Sequence, residues 1–315
     1  MNLVRWLRRT LTWAVYARRV GRRWAGPLAD NAIWPLDGAT VDGQGALHVL
    51  GLGVALAKPD ALTLMLLRAR RFAIGLHQRA AASFEIREGE IVLTLGSVRL
   101  AASCESDFSV IHEVFVERLY SFESAGPFLV IDVGANIGAS SLFFADTYDA
   151  KVVAFELVPS TAEIAERNIA RNPDLARKIT LNRYGLTDRG FDTEIPASVA
   201  YRPSNSLYLA LPKPGSATER VEARDIGAVL PELLKTLGSR KLVVKIDAEG
   251  AEYEILHRLA EAKLLDRIDM LFLEWHRREG HDPEELRRTL REAGFRWFEQ
   301  GHMEEPVGMI EAYRP

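Results

Sequence analysis

The stretch from Phe128 to Glu156 constrains the fold of this chain more than any other part of the sequence. Phe128 to Asp132 is an apolar run of strand-forming residues that ends on a carboxylate, and Lys151 to Phe155 is a second such run. A turn with two glycines and a segment of helical spacing, Ala139 to Tyr148, lie between them. The order strand, glycine turn, helix, strand and acid predicts a βαβ unit of a nucleotide-binding α/β fold.

Glycine spacing in the turn indicates which ligand this unit binds. A dinucleotide site has the spacing G-x-G-x-x-G, whereas this turn has only Gly134 and Gly138, with Asp132 two residues ahead of the first. An acid at that position would repel a pyrophosphate and suits a ligand with an ammonium group. Glu156, at the end of the second strand, can accept hydrogen bonds from ribose hydroxyls.

This pattern resembles the class I methyltransferases, which use S-adenosylmethionine (SAM). The resemblance implies that SAM is the cofactor and that Gly185 and Leu186 lie where such proteins seat the adenine. The predicted cofactor-binding residues are Asp132, Gly134, Ala135, Asn136, Gly138, Glu156, Leu157 and Leu186.

A second motif, VKIDAEGAEYEIL at residues 244–256, narrows the resemblance to the FkbM family of methyltransferases. The other matching segments are IDVGANIG (131–138), AFE (154–156), Asn205-Ser206 and LEWH (273–276). The resemblance implies O-methylation of hydroxyl groups on sugars, glycosides or natural products such as polyketides. It also implies a Rossmann-like, seven-stranded mixed sheet with helices on both faces and an antiparallel last strand. Leu157 departs from the proline that often follows the acid in this family.

Acids and a histidine at later strand ends are candidates for the acceptor side of the site. Ligands of parallel α/β sheets lie beyond the carboxyl ends of the strands, where this chain presents Asp247, Glu249, Glu274 and His276. In one hypothesis, His276 or Glu249 removes the proton of the acceptor hydroxyl and the remaining acids bind the acceptor. In the other, Asp247 and Glu274, with His276 as a further candidate ligand, bind Mg²⁺, which lowers the hydroxyl pKa directly.

Three further residues have two interpretations each. Lys245 lies one pleat below Asp247, so it could stabilise a developing alkoxide as a catalytic residue or form a structural ion pair. Asn205 and Ser206 could contact the substrate or shape a turn. They lie within residues 191–220, which are rich in Pro, Ser and Gly and predict a long functional loop.

The domain organisation follows from composition along the chain. Residues 106–315 alternate strands with helices and predict the methyltransferase domain, whereas residues 30–105 predict a smaller accessory α+β region with an antiparallel meander over Phe84–Leu100.

Residues 1–29 hold seven arginines and no acid, and their apolar residues predict a basic amphipathic helix. Peripheral contact of residues 1–24 with an anionic inner-membrane surface, with Trp6, Trp13 and Trp24 as anchors, is one hypothesis. Docking on the protein body or in a homo-oligomer is the other.

Charge and cysteine content exclude several other classes of protein. The chain of 315 residues has 40 basic and 43 acidic residues, so its charge predicts no nucleic-acid partner. Cys104 is the single cysteine, which excludes an internal disulfide and fits a reducing, cytoplasmic compartment.

The expected partner is a small molecule or glycan with a free hydroxyl. The alternative is a SAM-binding protein without methyl transfer that works as an interaction module through its N-terminal region.

Binding of S-adenosylhomocysteine, which is what remains of SAM after methyl transfer, distinguishes a SAM-dependent protein from an enzyme that binds a dinucleotide. S-adenosylhomocysteine at 100-fold over its Kd adds about 2.7 kcal/mol to the free energy of unfolding. We therefore expect the melting temperature to rise by roughly 5–10 °C. A thermal melt with NAD as control measures this, and no shift with saturating S-adenosylhomocysteine would favour an interaction module that does not bind SAM.

Overall fold

The structure is a computed structural model that describes residues 13–14, 17–33, 36, 38–87, 89–198, 205–208, 217–236, 238–300 and 306–315. The chain forms two compact units that divide between Leu119 and Tyr120. The sequence predicts this boundary after residue 105 instead. The difference arises because the helix Glu105–His112 packs against the helix Arg70–Ala80 and therefore belongs to the first unit.

The first unit combines helices with two small antiparallel sheets. Its helices are α1 (Gly21–Asp30), α2 (Ala61–Arg68), α3 (Arg70–Ala80) and α4 (Glu105–His112), and a π-helical turn (Glu113–Glu117) follows α4. Its strands are β1 (Thr40–Val41), β2 (Leu47–His48), β3 (Ala55–Leu56), β4 (Ser83–Arg87), β5 (Glu90–Leu95) and β6 (Val98–Ala102). Strands β4, β5 and β6 pair in sequence order as an antiparallel meander, so the meander prediction is confirmed.

The N-terminal segment differs from the single amphipathic helix that its sequence predicts. Residues 1–12, which include Trp6, lie outside the described residues. Helix α1 begins at Gly21, whose φ of +73° interrupts the helix that precedes it. Trp24 is fully buried and its Nε1 donates to the Gly45 carbonyl at 3.1 Å, so it is not a membrane anchor. Trp13 is exposed, and membrane contact through this segment stays a prediction.

Among the described residues, no helix has the length and apolar character needed to cross a bilayer.

The second unit is built on a seven-stranded mixed sheet. The strands of this unit are β7 (Phe128–Val133), β8 (Lys151–Phe155), β9 (Ile179–Asn182), β10 (Gly185–Thr187), β11 (Phe191–Ala197), β12 (Ala217–Asp225), β13 (Lys241–Ile246), β14 (Met270–His276), β15 (Arg296–Gln300) and β16 (Val307–Tyr313). The large sheet has the order β15-β16-β14-β13-β7-β8-β9, in which β16 runs antiparallel to β14 and β15 and all the other pairs of neighbours are parallel. The predicted class I α/β sheet with an antiparallel last strand is confirmed.

Helices cover this sheet on both faces. They are α5 (Ala139–Thr147), α6 (Pro159–Ala170), α7 (Pro173–Ala176), α8 (Ile226–Leu234), α9 (Glu252–Glu261) and α10 (Pro283–Glu292). Leu256 of α9 and Leu290 of α10 belong to the buried cluster on one face, together with Ile131 of β7. On the other face the ring of Phe144 in α5 lies 6.2 Å from that of Phe272 in β14. The strands β13 and β7 are thus buried from both sides, as their apolar sequences require.

Residues 191–220 are not one long loop, so that prediction is wrong at both ends. Strand β11 pairs antiparallel with β12 from Phe191 opposite Ala223 to Ala197 opposite Ala217. β10 lies parallel on the other side of β12. β11 is hard to recognise from the sequence because Pro196 interrupts the alternation of polar and apolar residues. Proline is tolerated at this position because β11 lies at the edge of the sheet.

Helix α9 offers a direct test of the core that holds the later strands. Leu256 is fully buried, whereas the side chain of the adjacent His257 is 72% exposed. We expect Leu256→Ala to lower the free energy of unfolding by about 2–5 kcal/mol because it leaves a cavity. His257→Ala, the matched control, is expected to change it by about 0.5 kcal/mol or less. Chemical denaturation followed by tryptophan fluorescence measures both, and equal effects would contradict this packing.

Candidate active site

The glycine turn after β7 brings two strand ends into close contact. Gly134 has a φ of +81°, and a Cβ atom built on it would lie 1.8 Å from the carbonyl oxygen of Asp247. No other residue fits this position, because the backbone that follows β13 passes directly against it. Gly138, the N-cap of α5, also has a positive φ, of +84°. The turn therefore depends on glycine at both positions.

Asp132 and Lys245 form a buried charged cluster beneath this turn. Lys245 Nζ lies 3.3 Å from Asp132 Oδ1 and 3.4 Å from Asp247 Oδ2, and it donates to the Gly134 carbonyl at 2.6 Å. Burial lowers the pKa of Lys245, but the charges of Asp132 and Asp247 outweigh burial, so the net shift is upward. The Lys245 amine therefore stays protonated and supports the turn.

Two sequence predictions about this cluster are corrected. Asp132 is fully buried, and its Oδ2 accepts hydrogen bonds from the hydroxyls of Ser140 and Ser141 in α5. This side chain positions the start of α5 and is not among the residues that line the pocket described below. Lys245 is also buried, and its donors are directed at Asp132, Asp247 and the Gly134 carbonyl, so the structural ion pair replaces the alkoxide role.

A pocket opens at the carboxyl ends of β7, β8 and β13, with about 600 Å³ of space that partly joins the solvent. It is lined by the predicted residues Gly134, Asn136, Glu156, Leu157, Leu186, Asn205, Asp247 and Glu249. The other predicted residues do not line it: Asp132, Ala135, Gly138, Lys245, Ser206, Glu274 and His276. Gly185, expected near the adenine, also lines the pocket, and the lining residues that were not predicted are Val133, Phe155, Thr161, Leu207, Ala248 and Ala251. Most of these adjoin a predicted residue at a strand end, which is the signal that would have identified them.

Glu156 and Asn136 form the polar wall of the pocket. Glu156 Oε2 accepts from the Asn136 backbone N–H at 2.8 Å, and Oε1 accepts from that of Val158 at 3.0 Å. Burial raises the pKa of Glu156 to about 7, against the lowering effect of these two hydrogen bonds. Asn136 Oδ1 is a buried acceptor that has no hydrogen-bond partner among the described residues. These groups fit a nucleoside, because its hydroxyl and amino groups are the donors that such acceptors require.

The turn after β13 supplies the acids of the site. Asp247 and Glu249 line the pocket, and Glu249 has a φ of +50°. Ser206 is buried, and its hydroxyl donates to the Glu249 carbonyl and accepts from the Tyr208 N–H at 2.9 Å. The amide of Asn205 bonds both backbone groups of Ser198, at 2.8 and 3.2 Å. Asn205 lines the pocket while closing a loop, and Ser206 holds the Glu249 turn.

His276 ends β14 between two carboxylates. Its Nδ1 lies 3.2 Å from Glu252 Oε1, and its Nε2 lies 3.5 Å from Glu249 Oε2. Burial would lower the pKa of His276, but the hydrogen bond to Glu252 and the charges of Glu252, Glu249 and Asp247 raise it to about 10. The imidazole is therefore protonated at neutral pH and is unsuited to accept a proton. Glu274, two residues earlier, is half-buried outside the pocket lining.

Three side chains at this edge have the composition of a metal site. Asp247, Glu249 and His276 each offer one ligand atom, and these atoms lie within 4.8 Å of one another. The predicted ligands were Asp247 and Glu274, with His276 as a further candidate, and this group has Glu249 in place of Glu274. A set of one nitrogen and two oxygens suits a cation such as Mn²⁺ or Zn²⁺ better than Mg²⁺, which prefers oxygen ligands.

Comparisons with known proteins identify a matching family and several relatives. The profile described as Methyltransferase FkbM domain matches residues 132–297. Methyltransferase sdnD of Sordaria araneosa is 31% identical over 47% of this chain and 67% of its own length. Hexuronic acid methyltransferase AglP of Haloferax volcanii is 28% identical over 56% of this chain and 67% of its own length. Among solved structures, the N-terminal domain of human METTL16 is 13% identical and covers 88% of this chain and 87% of its own, with a TM-score of 0.37.

The raised pKa of Glu156 makes ligand binding at this pocket depend on pH. A ribose hydroxyl donates to the ionised carboxylate, and Glu156 is protonated below about pH 7. We expect the Kd for S-adenosylhomocysteine to rise about tenfold between pH 8 and pH 6, since one pKa unit corresponds to a tenfold change. Isothermal titration calorimetry measures this change. Glu156→Gln should give a flat profile, whereas the exposed control Glu163→Gln should keep the wild-type slope; equal slopes in all three proteins would contradict the role of Glu156.

Proposed function

The chain belongs to the FkbM methyltransferase family, and we propose that it transfers the methyl group of SAM to a hydroxyl group of a sugar or glycoside. The observation that carries this proposal is the position of Asp247 and Glu249, whose carboxylates border the pocket next to the Gly134 turn. The hexuronic acid methyltransferase among its relatives supports a sugar acceptor. The class I fold is one that binds SAM, which supplies an activated methyl group on a sulfonium when bound.

We assign the cofactor side of the pocket to five lining residues. Gly134 allows the ligand to approach the backbone, and Glu156 accepts hydrogen bonds from the ribose hydroxyls. Asn136 offers the unpartnered Oδ1 to a donor of the ligand. Leu157 and Leu186 provide the apolar walls for the adenine. The Gly134 turn cannot shift, because Lys245 holds its carbonyl.

Glu249 is the group that we propose as the proton acceptor. Its carboxylate borders the pocket, whereas His276 is protonated and lies behind it. As the acceptor oxygen bonded to the methyl carbon, the sulfur–methyl bond would break with its electron pair left on sulfur, S-adenosylhomocysteine would leave, and the hydroxyl proton would pass to the Glu249 carboxylate. Alignment of the two reactants contributes ~7–11 kcal/mol in favourable cases. A well-placed base adds roughly 10²–10⁴-fold to the rate. Asp247 is then left to bind a neighbouring hydroxyl of the acceptor.

Metal-assisted deprotonation is the alternative to a carboxylate base. A divalent cation held by Asp247, Glu249 and His276 would lower the pKa of the acceptor hydroxyl directly. The two mechanisms differ in one measurable respect. Activity that survives EDTA supports the carboxylate base, and activity that EDTA abolishes and Mn²⁺ restores supports the metal.

Replacement of Glu249 tests the proposed function. We expect Glu249→Gln to lower kcat by roughly 10²–10⁴-fold, because the amide cannot accept the proton. The Kd for S-adenosylhomocysteine should stay within about twofold of wild type, because Glu249 is not among the residues that we assign to the cofactor side of the pocket. The assay uses mass spectrometry to detect methylated products from a panel of glycosides and uronosides. The exposed acid Glu279 gives the matched control, Glu279→Gln, which should leave both quantities unchanged.

Two outcomes would contradict the proposal. Full activity of Glu249→Gln would remove Glu249 as the base. A wild-type protein that binds S-adenosylhomocysteine yet methylates no hydroxylated acceptor in the panel would favour the SAM-binding interaction module.

A further inference from the structure

Glu252 is a buried carboxylate to which the chemistry above assigns no role. It is the first residue of α9, and its side chain is fully buried. Glutamate is almost never fully buried unless its charge is paired or hydrogen-bonded, because the loss of hydration is costly. The contacts that compensate for this burial therefore indicate what Glu252 does.

One set of contacts holds the turn that carries the pocket acids. Glu252 Oε1 accepts from the backbone N–H groups of Ala248 at 2.9 Å and Gly250 at 3.0 Å, and Oε2 accepts from Gly250 at 2.9 Å. Glu249 lies between these two residues in a left-handed conformation that a non-glycine residue rarely adopts. The carboxylate thus stabilises a strained turn that directs Glu249 at the pocket.

The other contact reaches a different strand. Glu252 Oε1 lies 3.2 Å from His276 Nδ1, at the end of β14. A hydrogen bond at Nδ1 fixes the ring orientation, so that Nε2 faces Glu249 at 3.5 Å. The charged groups of the described residues that raise the pKa of this imidazole include Glu252 of α9 and Asp247 and Glu249 of the turn after β13.

We propose that Glu252 is a positioning residue for methyl transfer, because its carboxylate fixes the Glu249 turn and the His276 ring in one arrangement at the edge of the pocket. This inference rests on the proposed function. Its physical basis is that a base contributes fully only when it is held within a fraction of an ångström of the reacting hydroxyl. The arrangement resembles the carboxylate that orients the histidine of a hydrolase triad, although the base here is a second carboxylate.

A double-mutant cycle tests whether Glu252 acts through His276. The proteins are Glu252→Gln, His276→Gln, the double variant and Glu254→Gln, a control that removes a carboxylate from the same helix. We expect each of the first two to lower kcat by about 10–100-fold, as is typical when an orienting partner is lost. The double variant should lose no more than the worse single variant, because both changes disrupt one unit.

Two further measurements separate positioning from general stability. The Kd for S-adenosylhomocysteine should stay within about threefold in Glu252→Gln, with the melting temperature as a check on folding. Glu252→Asp keeps the charge but shortens the side chain, so it should retain the fold and fail to restore kcat. In the S-adenosylhomocysteine complex, NMR should detect a slowly exchanging His276 Nδ1–H in wild type and Glu254→Gln, and this signal should be lost in Glu252→Gln.

The outcomes of these experiments test the positioning role of Glu252 and the proposed methyl transfer separately. Multiplicative losses in the cycle, an unchanged kcat in Glu252→Gln, or an unaltered Nδ1–H signal would overturn the positioning role and leave the proposed function intact. Absence of methyl transfer by the wild-type protein would overturn the proposed function instead. In that case the NMR comparison still determines whether Glu252 holds the His276 ring.

Discussion

The buried ion pair of Lys245 with Asp132 and Asp247 is the interaction on which the site depends. It joins β7 to β13, and the same amine binds the carbonyl of Gly134. A buried charge of this kind is stable only when its partners surround it, because desolvation of an unpaired charge costs several kcal/mol. The cluster therefore ties the glycine turn to the turn that carries Asp247, which is why a Cβ on Gly134 has no room.

The pocket has two sides with different electrostatics. On one side, burial raises the pKa of Glu156 to about 7 and leaves a carboxyl suited to nucleoside hydroxyls. On the other, Glu249 and Asp247 border the pocket while His276 and Lys245 stay protonated behind them. Carboxylates thus border this side of the pocket, and the cations keep them in place. This division fits the methyl transfer to a sugar or glycoside hydroxyl that we propose.

Residue roles were harder to predict than residue positions. The turn from Gly134 to Gly138 and the acid Glu156 lie where the sequence places them, because both belong to a local strand–turn–helix pattern. Asp132 has the right position but points at α5 and Lys245. Ser206 holds the Glu249 turn through a contact that spans 43 positions of the chain. Glu252 holds the same turn through contacts that span only two to four positions. No spacing rule reveals the contact of Ser206, since it exists only once its loop meets the Glu249 turn.

The sequence by itself determined the alternation of strands and helices, the glycine turn and the set of acids at the strand ends. These features follow from local periodicity and from the backbone conformations that glycine permits. The tertiary structure decided which acids reach the pocket, which are buried as supports, and which side chains are charged. Those properties depend on desolvation and on neighbours from other strands: β14 brings His276 to Glu252, and β13 brings Lys245 to Asp132. It also decided that residues 191–197 and 217–225 form paired strands, because pairing energy outweighs the weak local preference of an edge strand.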